Sequence, residues 1–152
     1  MTSKGKKELV RNRTARHSYE ILETFEAGLV LLGTEVKSLR ENGGNLQESY
    51  VKVKGDELWL VGAHIAPYRH GNLQNHEERR DRKLLLHRRE ITQLKAAVQE
   101  KGLALIPLSL YLTQGRIKLL LGKGKGLKAY DKREKLKLRD QKRAVDRELR
   151  EN

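Results

Sequence analysis

The sequence predicts a mainly β protein, an OB-like small antiparallel β-barrel with flanking α-helices and a basic C-terminal tail. Three patterns lead to this prediction: hairpins over residues 50–61 and 103–122, and an amphipathic helix between them over 88–102. Several short antiparallel strands in one domain favour a barrel, because closing a sheet removes its exposed edges. An open α+β sheet is the alternative.

The first 16 residues are predicted to form a mobile basic arm. They carry six basic side chains, one acidic side chain and few apolar ones, so little burial would offset the entropy lost on ordering. The barrel domain is therefore expected to begin at His17 and to occupy residues 17–122.

The beginning of this domain is predicted to alternate between strand and helix. Residues 18–22 (SYEIL) favour a strand that leads into a short helix over 24–33, with Thr24 as its cap and Gly33 as its end. A second strand is expected over residues 34–41 (TEVKSLRE), where Glu35 could pair with a neighbouring lysine or arginine.

The two hairpins are the strongest local signals. In the first, apolar residues alternate on both sides of Gly55-Asp56, and a two-residue loop with glycine first favours a type II′ turn. In the second, the turn is TQGR at residues 113–116. Pro107 cannot donate a ladder hydrogen bond, so it predicts an edge strand or a bulge at that position.

One helix and one long loop are expected between the hairpins. Residues 68–82 are polar and are predicted to be a loop. The helix over 88–102 ends at Gly102, and its buried face is predicted to hold Ile91, Leu94 and Val98.

Residues 123–152 are predicted to be the basic tail. The glycines of 122–126 (GKGKG) suggest a flexible exit from the barrel, and Leu138, Val145 and Leu149 share one narrow helical face. Such a face is too small to hold a helix by itself. The tail is therefore expected to be disordered in the free protein and helical against a partner.

The distribution of charge points to a polyanionic partner. The formal net charge is +13, yet residues 17–122 hold fifteen basic and thirteen acidic side chains, so most of the excess lies at the two ends. A nearly neutral body with basic ends is typical of proteins that bind nucleic acid or an anionic membrane. The tail offers few apolar anchors opposite its lysines, which argues against a membrane.

Several other classes are disfavoured. The chain has no cysteine, its longest apolar runs are too short to cross a bilayer, and its N-terminus lacks the apolar core of a secretory signal, so a cytoplasmic location is expected. No histidine has metal-ligand spacing, and nothing brings a nucleophile to Glu23, Glu26 or Glu35. No catalytic residue, metal site or cofactor is predicted.

The few aromatic residues are expected to lie mostly in the core, which favours recognition of a folded RNA by shape and backbone. Tyr130 is the exception, because it lies in a basic segment where it could stack on a base. Among the histidines, His17 lies beside arginines and could stack on a base or pair with a phosphate.

Three stretches closely resemble the SsrA-binding protein (small protein B) family. They are 11–40 (RNRTARHSYEILETFEAGLVLLGTEVKSLR), 83–91 (KLLLHRREI) and 123–133 (KGKGLKAYDKR). The resemblance implies an OB-like barrel that binds the tRNA-like domain of transfer-messenger RNA and delivers it to stalled ribosomes. It further implies a tail that enters the decoding centre and empty mRNA channel, against 16S rRNA, and a protein that is monomeric when free.

The resemblance also implies site residues. The family's RNA-contacting positions fall on Asn12, Arg16, His17, Glu26, Lys37, Arg40 and Lys83, and Arg13 lies in the same motif. The family positions that follow the barrel fall on Lys125, Gly126, Lys128, Asp131, Lys132 and Arg133. In the same region, Lys123, Tyr130 and Lys137 are also expected to contact the ribosome. Some members have a tail tryptophan; this tail has none, so Leu136 and Leu138 are the expected substitutes.

The prediction is thus a non-catalytic RNA-binding adaptor of trans-translation. Two alternatives remain: a structural ribosomal or ribosome-assembly protein with a basic extension, and a nuclease or other enzyme that acts on RNA.

Overall fold

The computed structural model describes residues 5–71 and 74–127. Within these ranges the chain is mainly β, as predicted. Its elements are β1 (Lys6–Arg11), α1 (Ala15–Ser18), β2 (Tyr19–Leu29), α2 (Gly33–Arg40), β3 (Gly44–Asn45), β4 (Tyr50–Lys54), β5 (Glu57–Val61), β6 (His64–Ile65), β7 (Arg82–Leu85), α3 (Arg88–Lys101), β8 (Ala104–Thr113) and β9 (Arg116–Gly126).

Seven strands form one antiparallel sheet in the order β1-β8-β9-β2-β7-β5-β4, and β3 pairs with β6 separately. The sheet curves so that β4 packs against β8 and β3 packs against β1, around a core of apolar side chains. No ladder joins β1 to β4 within the described residues. The OB-like architecture is therefore confirmed, as a curved sheet that is not closed by hydrogen bonds.

Both hairpins form as predicted. Gly55 has a φ of +62°, which the first position of a type II′ turn requires. Gln114 and Gly115 have φ values of 50° and 74°, so the second hairpin turns through two left-handed residues, the pattern of a type I′ turn. A register shift falls between Pro107 and Ser109, which is the bulge that the proline predicted.

Helix α3 and the polar loop before β7 also agree with the sequence. Gly102 ends α3 in the left-handed conformation, with a φ of +64°. Of the predicted inner face, Leu94 is buried together with Ala97, whereas Ile91 and Val98 are only half-buried. Between β6 and β7, the described residues contain neither an α-helix nor a strand.

The predicted order of helix and strand over residues 18–41 is wrong. Residues 19–29 form one long strand, and residues 33–40 form α2. The strand forms because β2 pairs with β9 over most of its length and with β7 at its end. In α2 the residues facing inward are Glu35, Ser38 and Leu39, a helical spacing that an apolar pattern misses because two of the three are polar.

The arm expected over residues 1–16 is ordered where the structure describes it. Residues 6–11 form strand β1, which pairs antiparallel with β8 and buries Val10. Backbone hydrogen bonds to a strand about a hundred residues later order this segment, and its own composition gives no sign of them.

The flexible exit expected at residues 122–126 is instead the end of strand β9. Gly122 and Gly124 are buried, and a Cβ atom on Gly124 would lie 2.3 Å from the backbone oxygen of Glu20. Glycine is required here because β2 and β9 approach closely, not because the chain is flexible. The helical face of Leu138, Val145 and Leu149 lies outside the described residues.

A buried ion pair joins α2 to β7. The side chains of Glu35 and Arg82 are both 0% exposed, and Arg82 Nε lies 2.6 Å from Glu35 Oε2. Arg80 Nη2 and the backbone N–H of Leu32 donate to the other carboxylate oxygen, at 2.6 and 2.8 Å. Burial alone raises the pKa of Glu35, but the hydrogen bonds from Arg80, Leu32 and Arg82 outweigh it and hold that pKa below its ordinary value.

We predict that Glu35→Gln lowers the free energy of unfolding by about 3–5 kcal/mol, because it leaves the buried Arg82 guanidinium without its counter-charge. Urea titration of the full chain measures this change. Glu41→Gln is the matched control. Its carboxylate is exposed and lies 3.8 Å from Arg69, so its loss should cost about 1 kcal/mol or less.

Equal, small losses for the two variants would contradict the prediction. The pH dependence gives a second readout, since the pKa of Glu35 lies lower in the folded than in the unfolded chain. The carboxylate stabilises the fold fully above its ordinary pKa of 4.5, and this contribution disappears as the pH falls through the folded value. The gap between wild type and Glu35→Gln should therefore narrow in acid.

Candidate nucleic-acid interface

The α1 turn, residues 12–18, is the first of the predicted contact regions. Asn12 bonds this turn to strand β8. Its side-chain Nδ2 donates to the carbonyl oxygen of Pro107 at 2.8 Å, and its backbone N–H donates to the carbonyl oxygen of Leu108 at 2.8 Å. Ala15 is 4% exposed and packs against Ile106 and Leu108 on the outer side of the sheet. The turn is thus rigidly placed, and the Asn12 amide serves to position it.

Two arginines of the α1 turn project from this fixed base. Arg13 and Arg16 are exposed, and neither makes a hydrogen bond or ion pair within the described part of the chain. His17, which follows Arg16, is half-buried, and its backbone N–H donates to the carbonyl of Thr14 at 3.1 Å. Two unpaired guanidinium groups on an ordered turn can each bind a phosphate in a bidentate manner.

The end of β9 lies directly beside the α1 turn. Gly126 pairs with Tyr19, and the backbone N–H of Leu127 donates to the carbonyl of Ser18 at 2.9 Å. The chain therefore leaves the described body next to the α1 turn. We call Arg13, Arg16, His17, Lys123 and Lys125 the basic corner.

The lysines of the basic corner are partly neutralised. Lys123 lies 2.9 Å from Glu23, and Lys125 lies 3.5 Å from Glu20. Both are cross-strand pairs between β9 and β2, so they also fix the register of the two strands. Lys123, Lys125 and Gly126 were predicted to belong to the tail, but the structure places them in the sheet.

Glu26 lies on the outer face of β2 with its carboxylate already engaged. It accepts a hydrogen bond from the hydroxyl of Tyr111, and Lys6 Nζ lies 3.4 Å away. The Tyr111 hydrogen bond lowers the pKa of Glu26, burial opposes this, and Lys6 lowers the pKa further. The carboxylate is ionised at neutral pH and still 44% exposed, so it remains accessible to a donor from a ligand.

The remaining predicted contacts lie on other elements. Lys37 and Arg40 are exposed on α2, where Lys37 Nζ lies 5.6 Å from the centre of the Tyr68 ring. Lys83 lies on β7 with its Nζ 2.5 Å from Glu57. Helix α2 packs against β1 and β6, whereas α1 packs against β2 and β8. The predicted contacts thus cover several surfaces instead of forming one cluster.

Eight predicted tail contacts lie outside the described residues: Lys128, Tyr130, Asp131, Lys132, Arg133, Leu136, Lys137 and Leu138.

The suggestion that Glu35 pairs with a neighbouring cation is wrong, since its partners are Arg80 and Arg82. Sequence reasoning missed this pair because both arginines lie in a segment that reads as a polar loop.

The expectation that most aromatic side chains are in the core is also wrong for the described residues. Phe25 and Tyr111 are buried, but Tyr50 is 51% exposed and Trp59 is only half-buried.

No group of three metal-ligating side chains is found among the described residues. No helix in the described ranges is long and apolar enough to cross a membrane.

This geometry suits binding of a polyanion by shape. Arginines are fixed on an ordered turn, and lysines lie on strands and on a helix that a buried ion pair anchors. Contacts to phosphates orient a nucleic acid without reading its sequence. A folded RNA presents phosphates at fixed positions, so a rigid array of cations can discriminate between RNA shapes.

Comparison with known proteins agrees with this reading. The SsrA-binding protein of Protochlamydia amoebophila is 61% identical over 144 residues, covering 95% of this chain and 94% of that protein. The SsrA-binding protein of Acetivibrio thermocellus is 49% identical over 152 residues, covering 100% of this chain and 99% of that protein. A chain in the solved structure "tmRNA-SmpB: a journey to the center of the bacterial ribosome" matches with a TM-score of 0.67 and 48% identity, covering 82% of this chain and 91% of that chain.

The family model described as "SmpB protein" matches residues 9–151. That range begins within β1 and includes the rest of the described body and the tail as far as residue 151. The predicted family resemblance is therefore confirmed: this chain belongs to the SmpB protein family.

Proposed function

We propose that this chain is a non-catalytic adaptor that binds the tRNA-like domain of transfer-messenger RNA and delivers it to stalled ribosomes for trans-translation. The observation that carries the proposal is the 61% identity to an SsrA-binding protein over 95% of the chain. The matched chain from the tmRNA–SmpB ribosome structure supports it. The adaptor acts as a monomer in the cytoplasm and needs no cofactor or metal.

The body recognises the folded RNA through its shape and backbone. Arg13 and Arg16 bind phosphates from the fixed α1 turn, with His17 beside them, and Asn12 keeps that turn in place. Glu26 accepts hydrogen bonds from the RNA, and Lys37, Arg40 and Lys83 extend the cationic surface. These contacts orient the RNA without reading its sequence.

The tail acts on the ribosome. It begins where Leu127 is bonded to Ser18, beside the basic corner, so the RNA contact of the body and the start of the tail are neighbours. In this proposal the cations after Lys128 follow the phosphates of 16S rRNA in the decoding centre and the empty mRNA channel. Tyr130 stacks on a base, and Leu136 and Leu138 make the apolar contacts.

The runner-up is a structural ribosomal or ribosome-assembly protein with a basic extension. None of the matched proteins described above carries such a name. A structural protein would co-purify in equal amount with all ribosomes, whereas an adaptor is enriched on stalled ones.

We predict that deleting residues 134–152 abolishes peptide tagging of stalled ribosomes but changes affinity for the isolated tRNA-like domain by less than about twofold. The body that binds the RNA remains complete, and only the tail is lost. An in vitro tagging assay and a binding titration measure the two effects. The double variant Lys132→Ala, Arg133→Ala is a full-length companion that should also reduce tagging more than binding. A truncated protein that tags normally would contradict the proposed role of the tail.

We predict that Arg16→Ala weakens binding to the tRNA-like domain and lowers the slope of log affinity against log salt by roughly 0.7–0.9, the loss of one phosphate contact. Fluorescence anisotropy at several salt concentrations measures the slope. The matched control is Arg116→Ala, which removes an exposed arginine at the turn end of β9, far along the strand from the α1 turn. An unchanged slope for Arg16→Ala, or equal changes in both variants, would exclude a specific contact at Arg16.

A further inference from the structure

A second surface with a different chemistry lies on the outer face of β4, β5 and β7. In β4 the exposed residues are Tyr50, Lys52 and Lys54, and they alternate with Val51 and Val53, which pack inward. In the neighbouring strands, Trp59 of β5 lies between Lys52 and Lys83 in the ladders. Cross-strand partners share one face of a sheet. We call Tyr50, Lys52, Lys54 and Trp59 the Tyr50 face. Lys83, which the proposed function already uses, lies beside it.

The two aromatic rings of this face are neighbours: Tyr50 is exposed and Trp59 is half-buried. Tyr50 pairs with Val61, so Trp59 is its diagonal neighbour on the same face, a separation of about 7–8 Å in antiparallel sheets. Tyr50 is 51% exposed, and Lys54 Nζ lies 5.6 Å from the centre of the Trp59 ring. The core under the face is formed by Val51, Leu58, Leu60 and Leu84, so the fold does not need an exposed tyrosine there.

The charge of the face is positive and arranged around the rings. Lys52 has no ion pair within residues 5–71 and 74–127. Among these residues, Lys54 makes no ion pair either, and its ammonium group lies near the Trp59 ring. The single carboxylate on these strands, Glu57, is occupied by Lys83 at 2.5 Å. Aromatic side chains with unpaired lysines beside them offer both stacking surfaces and phosphate contacts.

We propose that the Tyr50 face binds single-stranded RNA, with successive bases stacked on Tyr50 and Trp59 and phosphates near Lys52 and Lys54. Stacking on side chains requires bases that are not already stacked in a helix, which excludes the inside of a duplex as the ligand. A membrane surface would need a broader apolar patch than two rings separated by lysines. An acidic protein would satisfy the lysines but would leave the rings without a role.

This binding mode goes beyond the proposed function and does not depend on it. The basic corner lies at the α1 turn and the end of β9, and β2 separates β9 from β7 in the sheet. The chain can therefore hold a folded RNA at one surface and an unpaired segment of the same or another RNA at the other. Whether the unpaired segment belongs to the same RNA or to another, the ligand of the Tyr50 face is a short single strand. The folded RNA binds elsewhere, as a separate ligand.

The test uses the fluorescence of Trp59, which is the only tryptophan in the chain. The full-length protein is titrated with an eight-nucleotide oligouridylate, whose bases are largely unstacked in solution. We expect saturable quenching of the Trp59 emission, because a base stacks at the ring. Tyr50→Ala should raise the Kd by about 5- to 100-fold, the effect of losing one stacked base, whereas Tyr50→Phe should stay within about twofold of wild type. Lys52→Ala should lower the salt slope by about 0.7.

Leu22→Ala is the matched control. Leu22 is 51% exposed, like Tyr50, but lies on β2 outside the Tyr50 face, so its loss should leave oligouridylate binding unchanged. Affinity of Tyr50→Ala for the folded tRNA-like domain should also stay unchanged, which separates this proposal from the proposed function. Absence of quenching at saturation, or wild-type affinity of Tyr50→Ala for the oligonucleotide, overturns the proposal and assigns the binding to the basic ends alone.

Discussion

The carboxylate of Glu35 is the contact on which the arrangement of the surfaces depends. It receives hydrogen bonds from Arg82, Arg80 and the backbone of Leu32, and so ties α2 to β7 and to the loop before it. Arg82 also donates to the carbonyl of Ala63 at 2.8 Å, which adds the segment after β5. A buried pair of this kind is sensitive to geometry, since each charge is costly to bury without the other. It holds the cations of α2 and Lys83 in fixed relation to the core.

The elements that the sequence predicted correctly are those with local causes. The hairpins depend on loop length and on residues such as Gly55 and Gly115, and α3 depends on its apolar spacing and on Gly102. The elements predicted wrongly depend on distant partners: β1 on β8, β2 on β9, and Glu35 on an arginine 47 residues away. The glycines of β9 mislead for the same reason, because the carbonyl of Glu20 that demands them is remote in sequence.

For the functional surfaces, composition predicted basic ends around a neutral body, and the family motifs predicted particular residues. Neither could show that the two ends meet, which depends on the pairing of Tyr19 with Gly126. Nor could they show that Tyr50 and Trp59 share an outer face, because that follows from the register of β4 and β5. The body thus displays two surfaces, one cationic and rigid, the other aromatic and cationic.

The central claim is that a rigid body recognises the shape of one folded RNA. Its most direct test is binding of the full-length chain to the tRNA-like domain of transfer-messenger RNA at about 150 mM salt, in competition with excess bulk tRNA. The account predicts that the complex survives, because fixed cations on the α1 turn and α2 match one arrangement of phosphates. Equal loss of the complex to any tRNA would contradict the account. Binding would then follow from the net charge of +13, as expected of a structural ribosomal protein.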